Sequence, residues 1–339
     1  MYLSAAESIL PALQRTRAFL FRPFRLGTYF KLCLVALITE GLGGNSHFSH
    51  PSGGGHSHQP QFPGSPHFNP AWIPAIIAIV LVTIAVSFVL FYLITRLRFA
   101  YFHCLVHNVR EIRPGWHLYR AQAARFFWLN IVVGLCFLLA ILVLALPFVS
   151  GFWRIAQDMR AGVQPHVGAI IALVLPIIPL ILLLLLAAFV TDIVLRDFML
   201  PHYALENATA GHAWAAVWAR IRPQKGPFFV YALLRIVLPI IGVIVLFAVL
   251  IIPGIVFVAI VAMLEVGIHS ALGGAGTPLM ILIGVVSFLI AFVVGVCFGG
   301  PLSTATREYA LIFYGGRYQS LGDILFPPVA ATPAAPAPR

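Results

Sequence analysis

Between residues 73 and 95 the chain runs for 23 residues without a single charge. As a helix that run would extend about 34 Å, enough to cross the roughly 30 Å hydrocarbon layer of a bilayer. Further apolar runs cover 26–43, 126–150, 168–195, 228–252 and 278–304. Hydrophobic residues make up 61% of the 339 positions and charged ones only 9%, where ordinary soluble domains carry roughly a quarter charged. No soluble core needs that much apolar surface, so most of it must face lipid, where every backbone polar group has to be satisfied inside its own helix. The sequence therefore predicts an all-α fold, a polytopic integral membrane bundle of six transmembrane helices.

A formal charge of +11 invites a nucleic-acid reading, but the basic residues sit in short segments flanking apolar runs, and no soluble domain exists to carry a binding face. No nucleic-acid partner is expected. Cys33, Cys104, Cys136 and Cys297 are scattered singly, which is neither a disulfide framework nor a metal-binding pattern.

One polar segment occurs twice. Residues 98–116 read RFAYFHCLVHNVREIRPGW and residues 196–214 read RDFMLPHYALENATAGHAW. Phe99 matches Phe198, His103 matches His202 and Asn108 matches Asn207 at one offset, and Trp116 falls on Trp214 after a one-residue gap. Arg22-Pro23 with Gly27 and Phe30 likewise resembles Arg222-Pro223 with Gly226 and Phe229. The six spans are thus expected as three repeated hairpins joined by amphipathic interfacial elbows. In those elbows Phe99, Tyr101, Phe102, Trp116, Phe198, Tyr203 and Trp214 would serve as an aromatic belt.

Residues 26–317 form the membrane domain in this reading. Before it, 1–25 is a cytoplasmic amphipathic segment: Ser4 and Glu7 have the spacing of a capping box, and Ile9, Leu10, Leu13 and Leu20 recur at helical intervals. Residues 44–72 form a flexible Gly/His-rich loop, and 318–339 a disordered Pro/Ala tail. Pro176 and Pro179 predict a kink in the fourth span. The 37-residue run 228–264, divided by Pro253-Gly254, is read as one kinked helix or as a span plus an interfacial helix. Orientation follows from the basic residues. Seventeen flank one side of the spans and only Arg154 and Arg160 the other, so both termini and both elbows are expected in the cytoplasm and the histidine loop outside.

Charges within or beside the spans are the candidates for function, because placing them there is expensive. Asp192, Arg196 and Asp197 cluster at the mouth of the second elbow, and Arg235 lies two turns into the fifth span. An Asp192–Arg235 bridge is expected near the inner interface, either as a structural ion pair or as a site for a lipid head group or ion. Lys31 would snorkel to the near interface and Glu40 sit at the far one. In the loop, His47, His50, His56 and His58 are candidate metal ligands, although the surrounding glycines and prolines provide no rigid scaffold. His103 and His202 are read as structural, neither having an acidic partner on its own helix. No nucleotide-binding or nucleophile motif and no paired carboxylates are present, so neither an enzyme nor a cofactor is expected.

The stretch DFMLPHYALENATAGHAWAAVWARIRPQKGPFFVYALL, residues 197–234, and the RPFRLGTYFKL segment at Arg22 resemble bacterial multi-pass membrane families of unknown function. Among these they are similar to the membrane domain attached to some glycerophosphoryl diester phosphodiesterases. The catalytic His-Arg-Gly and paired acids of that family are absent, so the resemblance implies a membrane domain without the activity, in the bacterial inner membrane. The resulting expectation is a non-enzymatic protein of membrane or lipid organisation, with membrane lipids or another membrane protein as partner. The alternatives are a small transporter or lipid-handling pore, and metal binding by the histidine loop.

Overall fold

The computed structural model describes residues 4–41, 73–162 and 167–327. Among them the regular elements are all helical. Ser4 and Glu7 form the expected reciprocal cap: Glu7 N donates to Ser4 Oγ at 3.2 Å and Ser4 N to Glu7 Oε2 at 2.8 Å. They lead into α1 (Ile9–Phe21). The helix α2 (Leu26–Ala36) follows and widens into a π-turn, Leu37–Gly41. The first elbow joins α3 (Ile73–His107) through α4 (Ile112–Leu118) to α5 (Arg120–Arg160). Then come α6 (Val167–Val174), α7 (Ile177–Ile193), a second π-turn (Val194–Met199), α8 (Leu200–Leu205) and α9 (Ala210–Ile221). Finally α10 (Lys225–Leu272), α11 (Thr277–Gly315) and α12 (Gln319–Leu325) complete the chain.

Buried side chains concentrate at one end of this assembly. They come from α1, α2, the last part of α3, the start of α5, the second π-turn, α8, α9, the start of α10, the end of α11, and α12. Apolar arms project from this core, and their large side chains are mostly exposed, Leu182 by 67% and Ile252 by 72%. Four helical stretches are long and apolar enough to cross a membrane: Ile73–His107, Arg120–Arg160, Ile170–Leu205 and Ala210–Gly315. The most apolar window of each contains no buried residue.

Six spans were expected, and the difference has two sources. In the run 26–43 the described residues end at 41, and there α2 and its π-turn make 16 residues or about 24 Å, short of the hydrocarbon thickness. It also runs parallel to α11: the Tyr29 hydroxyl donates to Cys297 O at 2.6 Å, Cys33 abuts Gly300, and Glu40 reaches Arg307. A Cβ on Gly300 would lie 2.5 Å from Cys33 Cα, so glycine is what permits this approach. The runs 228–252 and 278–304 belong to one stretch, in which α10 continues through Pro239 and Pro253 to Leu272 and folds back at Gly273–Gly276. Gly273 takes φ 53°, a region glycine enters readily. Tyr231 stacks on Phe313 at 4.4 Å and Gly242 faces Leu302, so α10 and α11 are antiparallel. In the fourth run the helix breaks at Leu175-Pro176, where proline removes a donor.

Three other expectations change. First, α1 buries Ala12, Thr16, Phe19 and Leu20 and packs on α11 instead of lying free on a surface, although Leu10 and Leu13 stay exposed. Second, of the belt aromatics, Phe99, Tyr101, Phe102, Phe198 and Tyr203 are buried and build the core, while Trp214 is exposed. Third, the tail begins with a helix: Leu321 and Leu325 of α12 are buried, and Gly322 lies against Gly315 O. Residues 328–339 lie outside the described ones. The two elbows do share one device. Asn108 and Asn207 both take φ 54°, the left-handed conformation that asparagine tolerates better than most residues. Three equal hairpins do not follow from this, because among the described residues α2 and its π-turn are too short for a crossing arm.

Candidate functional site

The second π-turn inserts extra chain at the end of α7, and Asp197 on that turn faces the core with its side chain fully shielded. One carboxylate oxygen, Oδ2, accepts from the Tyr231 hydroxyl at 2.7 Å and from Arg235 Nε at 3.0 Å. The other, Oδ1, accepts from Arg307 Nη1 at 3.0 Å. Glu40, on the first π-turn, closes the arrangement from the opposite side. Its Oε2 lies 3.4 Å from Arg235 Nη2 and its Oε1 3.8 Å from Arg307 Nε. Two carboxylates and two guanidiniums thus alternate in a ring, drawn from α10, α11 and both π-turns. Arg307 Nη1 also donates to Arg196 O at 2.9 Å, tying α11 to the backbone of the second π-turn.

The ring is electroneutral and nearly closed to solvent, and both carboxylates already hold two cations each. Such an arrangement holds helices in one geometry. Its stability depends on keeping every partner, because a buried charge without one is strongly unfavourable.

The expected Asp192–Arg235 bridge is not formed. Arg235 pairs with Asp197 and Glu40, and Asp192 pairs with Arg196 one turn further on, at 2.7 Å. That separation makes an ion pair, but the Arg196 N–H is not directed at the carboxylate and no hydrogen bond results. Of the four expected residues, Asp197 and Arg235 therefore meet directly, Arg196 joins through its backbone, and Asp192 stands at the edge, its side chain 45% exposed. Glu40 lies beside Arg307 and not at a far interface. The glutamate had been visible as a charge at the end of an apolar run. Its placement depended on α2 crossing, and the described residues of α2 and its π-turn are too few for that.

Other polar contacts surround the ring. Arg98 is buried and donates through Nε to Thr39 O at 3.1 Å, again on the first π-turn. Tyr101 donates to Thr304 Oγ1 at 2.8 Å. Glu308 is fully buried, with Arg15 Nε at 3.2 Å from its Oε2, and Arg15 Nη2 donates to Leu105 O at 2.7 Å. The Glu308 contact is again an ion pair by distance alone, since neither oxygen accepts an aligned hydrogen bond. In this way α1 is fastened to α3 and α11 together.

The histidines divide. His202 is buried and has the acidic partner not foreseen for it: Nδ1 lies 3.0 Å from Glu206 Oε2 one turn on, and Nε2 lies 2.8 Å from the Tyr314 hydroxyl. Glu206 lies between two of the apolar stretches. Partial burial pushes its carboxyl up, but the His202 hydrogen bond, with the Arg220 charge nearby, outweighs this and holds it below the ordinary glutamate range. His103 and His107 lie ring to ring at 4.5 Å. Among the described residues no group of three or more His, Cys, Asp or Glu side chains is arranged to hold a metal ion. His47, His50, His56 and His58 lie outside the described residues.

A family of unknown function, DUF7544, matches residues 3–324, nearly the whole chain. No curated protein and no solved structure matches it. The resemblance to the membrane domain of glycerophosphoryl diester phosphodiesterases therefore has no support from these comparisons.

Proposed function

The chain belongs to the DUF7544 family of unknown function, and from that premise we propose that it is a non-enzymatic multi-pass membrane protein that organises lipid or a neighbouring membrane protein around its arms. One observation carries this reading: the apolar arms leave a charge-locked core with their most apolar windows wholly unburied. Surface of that kind is satisfied by acyl chains or by other membrane helices. The ring favours a holding role over a transport role. Its charges neutralise one another at the base of the arms, whereas a transporter needs a polar path at the level of the bilayer midplane.

The location belongs to the same proposal. The bacterial inner membrane is its setting, with the elbows and the core on the cytoplasmic side, because seventeen basic residues flank that side and two the other. Impermeant maleimide labelling of single cysteines checks the orientation, one replacing Ser320 on α12 and one replacing Gly274 at the far turn. Residue 274 should label in intact spheroplasts and residue 320 only after lysis. Reconstitution into liposomes checks the function: no ion flux and no lipid scrambling is the expected outcome. Flux that Arg235→Ala abolishes in a protein that remains folded would replace this reading with a transporter.

A further inference from the structure

Where α7, α9 and α10 diverge, a groove of about 320 Å³ opens beside the second elbow. Its walls are apolar, among them Val190 and Ile193 of α7, Val217 and Ile221 of α9, and Phe228 and Phe229 of α10. They continue onto the exposed flanks of α7 and α10, so the groove opens toward whatever solvent surrounds the arms. Its rim is different. Trp214 and Trp218, one turn apart on α9, are both exposed, with rings 6.3 Å apart and nearly parallel. Lys225 lines the groove where α10 begins, and the Arg222 guanidinium lies over the Trp218 ring at 5.5 Å. Neither cation has a carboxylate within ion-pairing distance among the described residues. No acidic side chain lines the groove, and Asp192, on α7 nearby in sequence, is engaged by Arg196.

Apolar walls, interfacial tryptophans and two unpaired cations at one end match the successive layers of a phospholipid leaflet: acyl chain, glycerol region and phosphate. The cavity volume lies at the lower end of the roughly 300–1,000 Å³ usual for small-molecule sites, suited to part of one acyl chain. We propose that this groove holds one acyl chain of an anionic phospholipid, with its head group against Lys225 and Arg222. The inference rests on the membrane reading above and moves the lipid contact from the charge ring, where both carboxylates are already paired, to the elbow.

Native mass spectrometry of the full chain in mild detergent tests it, with phosphatidylglycerol and phosphatidylcholine of identical chains added in turn. Wild type should retain one phosphatidylglycerol in preference to phosphatidylcholine. Lys225→Gln and Arg222→Gln should each weaken phosphatidylglycerol retention about fivefold, the effect of one basic residue at an anionic membrane surface, without changing phosphatidylcholine retention. Lys225→Arg should keep the preference. Ala232→Phe, which fills the groove, should lower retention of both lipids; as that variant risks misfolding, the exposed Lys225→Gln decides. Equal retention of the two lipids by wild type, or an unchanged preference in Lys225→Gln, would overturn the assignment. So would a photocrosslinker at position 218 that captures a polypeptide instead of lipid. Alkaline carbonate extraction separates the two levels: release of wild type from membranes defeats the membrane reading itself, whereas a retained protein without lipid preference defeats only the groove.

Discussion

Replacing Asp197 by asparagine tests the charge ring most directly. The substitution keeps the shape and one acceptor oxygen but removes the charge that two guanidiniums share. Tyr231, Arg235 and Arg307 all donate to this carboxylate, so the new amide must turn its own donors toward at least one of them. Glu40 is then the one carboxylate left to Arg235 and Arg307 among the described residues, at the longer distances of 3.4 and 3.8 Å. Breaking a buried pair by removing one partner costs about 3–5 kcal/mol. Asp192→Asn provides the comparison: its side chain is 45% exposed although its partner Arg196 is buried, so removing its charge should cost less than removing that of the fully shielded Asp197. Unfolding by SDS titration in mixed micelles should therefore show the larger loss for Asp197→Asn. Glu40→Gln combined with Asp197→Asn should be non-additive, because both act on the same two arginines. A loss below about 1 kcal/mol for Asp197→Asn, or equal losses for the two aspartates, would refute the view that the ring locks the core.

Three further outcomes are expected. Gly300→Ala should loosen α2 from α11 by about 1–3 kcal/mol, because its Cβ meets the Cys33 backbone. Gly299→Ala, whose nearest neighbour is Leu37 Cδ1 at 3.4 Å, should be tolerated; faster alkylation of Cys33 in the Gly300 variant alone would report the difference. Asn108→Ala should destabilise by about 1 kcal/mol and Asn108→Gly hardly at all, as judged by thermal unfolding, because φ 54° suits glycine and not alanine. Glu206, with its carboxyl held below the ordinary 4.5 by the His202 hydrogen bond and the Arg220 charge, stabilises the fold fully above that pH, and its contribution is lost as pH falls through the lowered value. Melting curves of wild type and Glu206→Gln should therefore differ at pH 6 and converge as the pH falls through the lowered value.

The residues that declared themselves in the sequence did so through cost. Apolar runs such as 73–95 have no use outside lipid, and Asp197 and Arg235 stood out as charges beside such runs. Both belong to the ring. What could not be read was the partner of each, because pairing depends on helix direction. The run 26–43 looks like a short span by composition. Only its tertiary contacts, Tyr29 to Cys297 and Cys33 to Gly300, show that it runs alongside α11 in the same direction and delivers Glu40 to Arg307. Arg307 had registered as one more basic residue after a span, a topology signal with no site attached. The elbow aromatics misled for a related reason. Phe99 and Tyr203 have the composition of an interfacial belt, but composition does not distinguish a ring facing head groups from a ring facing another helix, and both are buried.

The length of α10 has a consequence for reach. From Arg235 to Leu272 it runs 38 residues without a break, a rise of about 56 Å, while a bilayer with its head groups is about 40–45 Å thick. With the ring seated at one head-group layer and the rod leaning by the average of about 20°, its tip still climbs about 53 Å and clears the opposite surface. In the placement proposed above, the glycine turn would stand in the other compartment, with the charge ring a full membrane thickness below it.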